Sequence, residues 1–174
     1  AWLWVALVLA SLAAAPPVAT RAEEPWLTLS TPRVRVHFHP GYETAAIAAA
    51  RAAEEAIDRL ASALGHEPQG PVHIALMDVA DLANGFTDVS YYGRVVIYPA
   101  FPVGLGYTTG LSPRMSDWLQ LVVTHEVVHA VHLDMAEGPA RGLRQLFGHV
   151  PGLSTPNIFQ PLAFLEGLAT FEET

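Results

Sequence analysis

The segment from residue 108 to 138, TTGLSPRMSDWLQLVVTHEVVHAVHLDMAEG, contains three histidines, and the glutamate Glu126 lies among them in a long apolar stretch. Between Leu119 and Leu133 the only formally charged side chain is Glu126. A helix with this much apolar surface is stable only when other elements bury it. The pattern therefore predicts a helix from about Pro113 to Ala136, stopped by Gly138, around which the rest of the fold is built.

The motif HEVVH, residues 125 to 129, places two histidines four residues apart in this helix. Such residues lie one above the other, about 40° apart around the axis, so both imidazoles can reach one metal ion. Glu126 lies beside them, where its carboxylate can reach a metal-bound water without binding the metal. The alternative is that the histidines form ordinary hydrogen bonds at a helix surface, with charged neighbours. The neighbours are instead apolar: Trp118, Leu121, Val122, Val128 and Val131.

A catalytic zinc site needs three protein ligands and one open position, so a third ligand must be found. The chain has no cysteine, which leaves His, Asp and Glu as candidates. His132 lies about 10.5 Å of helix rise beyond His125, too far for one metal to reach both, and we expect it to orient a ligand or to pack. Glu166, in FLEGLATFEE, is the better candidate, because Gly167 and Ala169 let a second helix approach the first closely.

At these residues the chain resembles the gluzincins, the zinc metallopeptidases of the thermolysin and aminopeptidase type. In that family a His-Glu-x-x-His helix is followed by a later helix that carries Glu-Gly, an aromatic or aliphatic residue, and Ala. The matching motifs are HEVVH and, at residues 166 to 169, EGLA. The order of strand, long helix, two strands and active-site helix extends the resemblance over residues 33 to 174.

The resemblance implies one Zn²⁺ ion held by His125, His129 and Glu166, with Glu126 as the general base in the hydrolysis of a peptide or protein substrate. One alternative is a catalytically inactive metallopeptidase-like scaffold or binding module at the front of a larger exported protein. Another is a purely structural metal. The intact Glu126 favours the enzyme, because a scaffold needs no base, and three ligands without cysteine suit an open catalytic site.

Further groups are needed to orient the ligating imidazoles. Thr170 and Glu173 fall on the same helical face as Glu166, and the thermolysin pattern has Asp where Thr170 stands. Asp134 and His149 are the alternatives, each with ordinary surface hydrogen bonding as its simpler interpretation.

Substrate binding is predicted at a strand ahead of the histidine helix. This strand resembles the edge strand with which the family binds the substrate main chain, and its simpler interpretation is an ordinary sheet edge. Its residues are Arg94, Val95, Val96, Ile97 and Tyr98. Tyr107, in the loop that follows, is a candidate for stabilising the oxyanion.

The order of elements predicts an α+β domain. We expect a small mixed or antiparallel sheet packed on a long helix and an active-site helix, followed by the helix with Glu166. The predicted strands are residues 33 to 41, 71 to 78 and 93 to 99, and the predicted helices are 42 to 64, 113 to 136 and one beginning near Pro161. A turn-rich link with Asn84-Gly85 and loops at 99 to 113 and 138 to 160 connect them.

The N-terminal segment predicts export. The apolar run Trp2 to Ala15 has the length of a signal-peptide core and is short of the roughly 20 residues of a membrane span. We expect residues 1 to 22 to be a signal peptide incomplete at its start, with an uncleaved N-terminal anchor as the alternative. Residues 23 to 174 would then be a periplasmic or extracellular catalytic domain, truncated at its C-terminus and without a membrane span.

Two further expectations concern partners. The net charge of −8 and the pI near 5.4 argue against a nucleic-acid surface, which needs clustered Lys and Arg. Exported bacterial proteins with a gluzincin-like domain often continue into β-propeller repeats, so the resemblance also suggests a C-terminal propeller.

Overall fold

The computed structural model describes residues 24 to 78, 83 to 88, 93 to 100 and 115 to 173. The predicted signal peptide and Tyr107 lie outside these ranges. The strands within them are β1 Leu27–Ser30, β2 Val34–Phe38, β3 Val72–Leu76, β4 Ala83–Asp88 and β5 Arg94–Pro99. The helices are α1 Glu43–Leu64, α2 Met115–Asp134, α3 Gly138–Phe147 and α4 Leu162–Glu172, with a short 3₁₀ helix at Pro156–Phe159.

The strands form one mixed sheet in the order β1-β2-β3-β5-β4. Strands β2, β3 and β5 are parallel, whereas β1 and β4 pair antiparallel at the two edges. This sheet, the long helix α1, the histidine helix α2 and the glutamate helix α4 confirm the predicted α+β class. Among the described helices, none combines the length and the apolar character that crossing a bilayer requires.

The core lies between the sheet and the two long helices. Helix α1 packs on β2, α2 packs on β4 and β5, and the two helices pack against each other. The parallel strands supply almost completely buried side chains, namely Val34, Val36, Ile74, Leu76, Val95 and Ile97. Helix α1 contributes mainly alanines, whose small side chains let it lie close to its neighbours. Ile47 lies on the outer face of α1 and is 53% exposed.

Two segments predicted as turn or loop are regular elements. The link containing Asn84-Gly85 forms β4, although both residue types are depleted in strands. The predicted loop 138 to 160 contains α3, whose first turn accommodates Pro139. Buried Arg144 fixes α3 to the end of α2 by donating hydrogen bonds to the carboxylate and the carbonyl of Asp134. Close packing against α2 outweighs the local turn signals in β4, whereas α3 is mostly exposed and Arg144 is its one buried residue.

The prediction that Arg94 to Tyr98 form the sheet edge is wrong. These residues belong to β5, which pairs with β3 on one side and with β4 on the other. Their peptide groups are therefore used within the sheet. Because β4 folds back antiparallel on β5, the edge nearest α2 is β4.

A charged cluster ties α1 to the turn between β1 and β2. Glu54 accepts hydrogen bonds from the Thr31 hydroxyl at 2.5 Å, from the Arg33 backbone N–H at 3.0 Å and from Arg33 Nε at 2.7 Å. Burial opposes ionisation of Glu54, but these hydrogen bonds and the charge of Arg33 outweigh it and hold its pKa below the usual range.

We expect Glu54→Gln to lower the free energy of unfolding by about 2 kcal/mol at pH 7, because it removes the charge from these hydrogen bonds. The folded-state pKa is depressed, so this stabilisation is present above the unfolded pKa of about 4.3 and is lost as the pH falls through the folded value. Urea unfolding of both proteins across this range measures the difference. The control is Glu55→Gln, which changes the exposed neighbouring glutamate. An equal loss of unfolding free energy in both variants would contradict the role assigned to Glu54.

Candidate metal centre

Helices α2 and α4 pack antiparallel, and this arrangement determines which side chains meet. In the first turn of α4, the Phe164 ring centroid lies 6.0 Å from that of His132. Just after its last turn, Glu173 contacts His125. Glu166 lies between these two contacts along α4 and therefore faces the middle of the histidine helix.

The three predicted ligands converge. The Nε2 atoms of His125 and His129 are 3.1 Å apart. Glu166 Oε2 lies 3.3 Å from His125 Nε2, and Glu166 Oε1 lies 3.6 Å from His129 Nε2. Ligand atoms bound to one zinc at about 2.0 to 2.1 Å are roughly 3.3 Å apart at tetrahedral angles. These three residues could therefore hold one metal ion.

Metal binding requires neutral imidazoles, and the surroundings of each histidine bear on this requirement. His125 Nδ1 lies 2.5 Å from Glu173 Oε1. Because an ionised carboxylate only accepts, Nδ1 donates in this contact, and Nε2 is the nitrogen that faces the other predicted ligands. Burial lowers the pKa of His129, as does the nearby ring of His125, against the opposing charge of Glu166.

Of the two residues predicted to orient a ligand from α4, only Glu173 does so in the described structure. Its carboxylate is bonded to His125, whereas Thr170 is exposed and donates no described hydrogen bond to a ligand. Glu173 lies seven residues after Glu166, two helical turns along the same face.

Glu126 is buried, with 6% of its surface exposed, and lies beside the ligands. The Thr87 hydroxyl lies 2.7 Å from Glu126 Oε2 and 2.8 Å from its backbone carbonyl, so it can donate to either oxygen. Burial raises the pKa of Glu126, and the negative charge of Glu166 adds to this effect. The Thr87 hydrogen bond and the His125 ring oppose it, and the pKa remains above its usual range. Glu126 is therefore within electrostatic range of two ligands, and Thr87 restrains its carboxylate.

Strand β4 brings Gly85 directly against the same glutamate. A Cβ atom at Gly85 would lie 2.9 Å from side-chain atoms of Glu126, Ile97 and Val122. Only a residue without a side chain allows β4 to pass this close to α2. Thr87 and Gly85 were not expected at the site, because Asn84-Gly85 is a turn signal in the sequence. The alternating pattern that marks a strand is also absent from ANGFTD.

The peptide groups of two β4 residues point away from the sheet. In β5, the Ile97 carbonyl accepts a hydrogen bond from the residue after β3, so the peptide groups of Ile97 face β3. Because these groups alternate along a strand, those of Val96 face its β4 partner, Phe86. The N–H and C=O groups of Gly85 and Thr87 therefore lie on the outer edge of the described sheet, next to Glu126. There the Gly85 N–H donates a hydrogen bond to Asn84 Oδ1 at 2.9 Å.

The remaining candidates lie elsewhere. The buried His132 ring packs near Phe164 and is not among the three potential ligands. The Asp134 carboxylate binds Arg144 and His66, and His149 lies against Arg144. Of the small residues in α4, Ala169 is fully buried. A Cβ at Gly167 would meet no atom within 4 Å, so that glycine does not control the approach of the helices.

No protein-family model, curated protein or solved structure matches this chain. The features that indicate a function are therefore the geometry of the site and the two motifs, HEVVH and EGLA.

Proposed function

We propose that this protein is a zinc-dependent peptidase of the gluzincin type, which hydrolyses peptide bonds in a peptide or protein substrate. The main support is that His125, His129 and Glu166 converge from two helices, with buried Glu126 beside them. Two imidazoles and one carboxylate are a ligand set of catalytic zinc, and they leave a fourth position for water or substrate.

The chemistry that zinc supplies in such a site is a lowered water pKa, near 7, and polarisation of the scissile carbonyl. Half of the Glu166 side chain is exposed, so water and substrate have access from that side. Glu173 keeps the proton of His125 on Nδ1 and thereby directs the Nε2 lone pair to the metal position.

Glu126 acts as the general base in this proposal. It takes a proton from the attacking water and later passes it to the leaving amine. Thr87 restrains the carboxylate through Oε2, and burial excludes bulk water around it. A protein that binds a metal only for structural purposes does not need such a base.

The open edge of β4 is the proposed binding site for the substrate main chain. Gly85 and Thr87 have their peptide groups there, so an extended peptide can add to the sheet as another strand. The added strand would replace the hydrogen bond that the Gly85 N–H donates to Asn84 Oδ1. The same two residues contact Glu126, which brings a bound peptide past the base. This role replaces the one predicted for Arg94 to Tyr98.

The alternative is a catalytically inactive metallopeptidase-like scaffold, and one experiment on the full chain separates the two. We expect one zinc ion per chain and hydrolysis of casein, both lost on treatment with 1,10-phenanthroline and restored by added zinc. Metal content is measured by mass spectrometry. Zinc without hydrolysis would support the scaffold, and the absence of bound zinc would contradict the proposed peptidase. Export and a C-terminal propeller remain predictions from the sequence.

Removal of the Glu173 carboxylate tests the positioning of His125. We expect Glu173→Ala to lower zinc affinity about 10- to 100-fold, as is typical when the partner of a ligating histidine is lost. Titration with a competing chelator measures the affinity. The adjacent variant, Glu172→Ala, is the matched control. Equal losses in both would mean that the end of α4, rather than the carboxylate, is responsible.

A further inference from the structure

A cavity of about 320 Å³ lies where the end of α2 meets the start of α4. It begins at His132, one helical turn beyond His129, and is separate from the ligand group. Part of its wall is apolar, formed by Leu64, Met135, Phe164 and Leu168. Its polar lining includes His132, Asn157, Gln160 and Glu137, and contains neither Lys nor Arg.

The orientation of two amides in this cavity is fixed by their hydrogen bonds. Asn157 Nδ2 donates to the His132 carbonyl at 2.8 Å, so Asn157 Oδ1 is an acceptor. Gln160 Nε2 donates to that oxygen at 3.1 Å. The remaining atom, Gln160 Oε1, is buried and has no hydrogen-bond partner among the described residues. A buried carbonyl oxygen in this state is unfavourable unless a ligand or water donates to it.

A second buried atom without a described partner lies in the same lining. His132 is 6% exposed, and its Nδ1 atom makes no hydrogen bond within the described structure. Burial lowers the pKa of His132, which favours the neutral ring. With its proton on Nε2, the ring offers Nδ1 as an acceptor.

The lining therefore combines acceptors, a negative charge and an apolar wall. Gln160 Oε1 and His132 Nδ1 can accept, and the exposed Glu137 adds a carboxylate. An alkylammonium ion carries three N–H donors, a positive charge and an apolar stem. We propose that this cavity binds a primary alkylammonium group, whose N–H bonds point to Gln160 Oε1 and His132 Nδ1 and whose stem packs on Phe164 and Leu168.

The ligand can be a free amine or a lysine side chain, and the experiment separates the two sources. The full chain, freed of metal and checked for folding by circular dichroism, is titrated with n-butylammonium chloride at pH 7 while the ring signals of His132 are followed by NMR. We expect saturable shifts, and the same shifts in His129→Ala, which lacks the intact ligand group. Binding of Nα-acetyl-lysine amide as well would assign a lysine side chain, whereas binding of n-butylammonium alone would assign a free amine.

Two variants and one neutral probe test the recognition itself. We expect Gln160→Leu to weaken n-butylammonium binding about tenfold or more, because it removes an acceptor for a charged donor. Glu137→Gln keeps the shape and removes the negative charge of the lining, so it should also weaken binding. Equal affinity for 1-butanol, or no effect of either variant, would overturn the recognition of the ammonium group. The absence of a saturable shift would also overturn the proposal and leave a cavity occupied by water alone. None of these measurements depends on peptidase activity.

Discussion

Glu126→Gln should lower the rate of casein hydrolysis by about 10²- to 10⁴-fold while the zinc content stays unchanged. The glutamine side chain has nearly the same shape and can still accept the hydrogen bond from Thr87, which is 2.7 Å from Oε2 in the native protein. The amide cannot take a proton from water at neutral pH. The base is thus removed with little change in the surroundings of the ligands.

The control for this prediction is Glu55→Gln, which changes an exposed glutamate on α1 and should leave hydrolysis and zinc content unaltered. Full activity in Glu126→Gln would exclude Glu126 as the base. Loss of zinc together with activity would show that Glu126 supports the ligands rather than the proton transfer. Metal analysis and hydrolysis are therefore measured on the same preparation.

Glu166→Gln should weaken zinc binding by more than about 100-fold and abolish hydrolysis at limiting zinc. Loss of a group that only orients a ligand lowers affinity about 10- to 100-fold, and loss of a ligand should have a larger effect. The two remaining imidazoles come from one helix and carry no negative charge. Competition with a chelator of known affinity measures the change directly.

The matched control for Glu166→Gln is Thr170→Ala, one helical turn further along α4. Thr170 is exposed and donates no described hydrogen bond to a ligand, so its removal should leave zinc affinity unchanged. A strong effect at Thr170 would restore the role that the resemblance assigns to this position. Normal zinc affinity in Glu166→Gln would contradict the proposed ligand set.

The errors of the sequence interpretation share one cause. Asn84-Gly85 is a typical turn sequence, yet the chain is extended there. Only glycine at position 85 leaves room for the side chains of Glu126 and Val122. Likewise, Arg94 to Tyr98 were predicted at the sheet edge, but β4 returns to cover them. The first error concerns a contact between elements far apart in sequence, and the second concerns the pairing of two successive strands. Local propensity contains no information about which strand will pair or which helix will lie opposite.

By itself, the sequence determined the α+β class, the buried histidine helix and the pairing of His125 with His129. These follow from the helical period, because four residues nearly complete one turn and leave both rings on one face. It also supplied Glu166 as a candidate, though not its distance from the rings. Only the tertiary structure brought Glu166 within 3.6 Å, chose Glu173 over Thr170 and laid β4 over Glu126. Those choices depend on how closely α2, α4 and the sheet edge pack, which is a property of the assembled core.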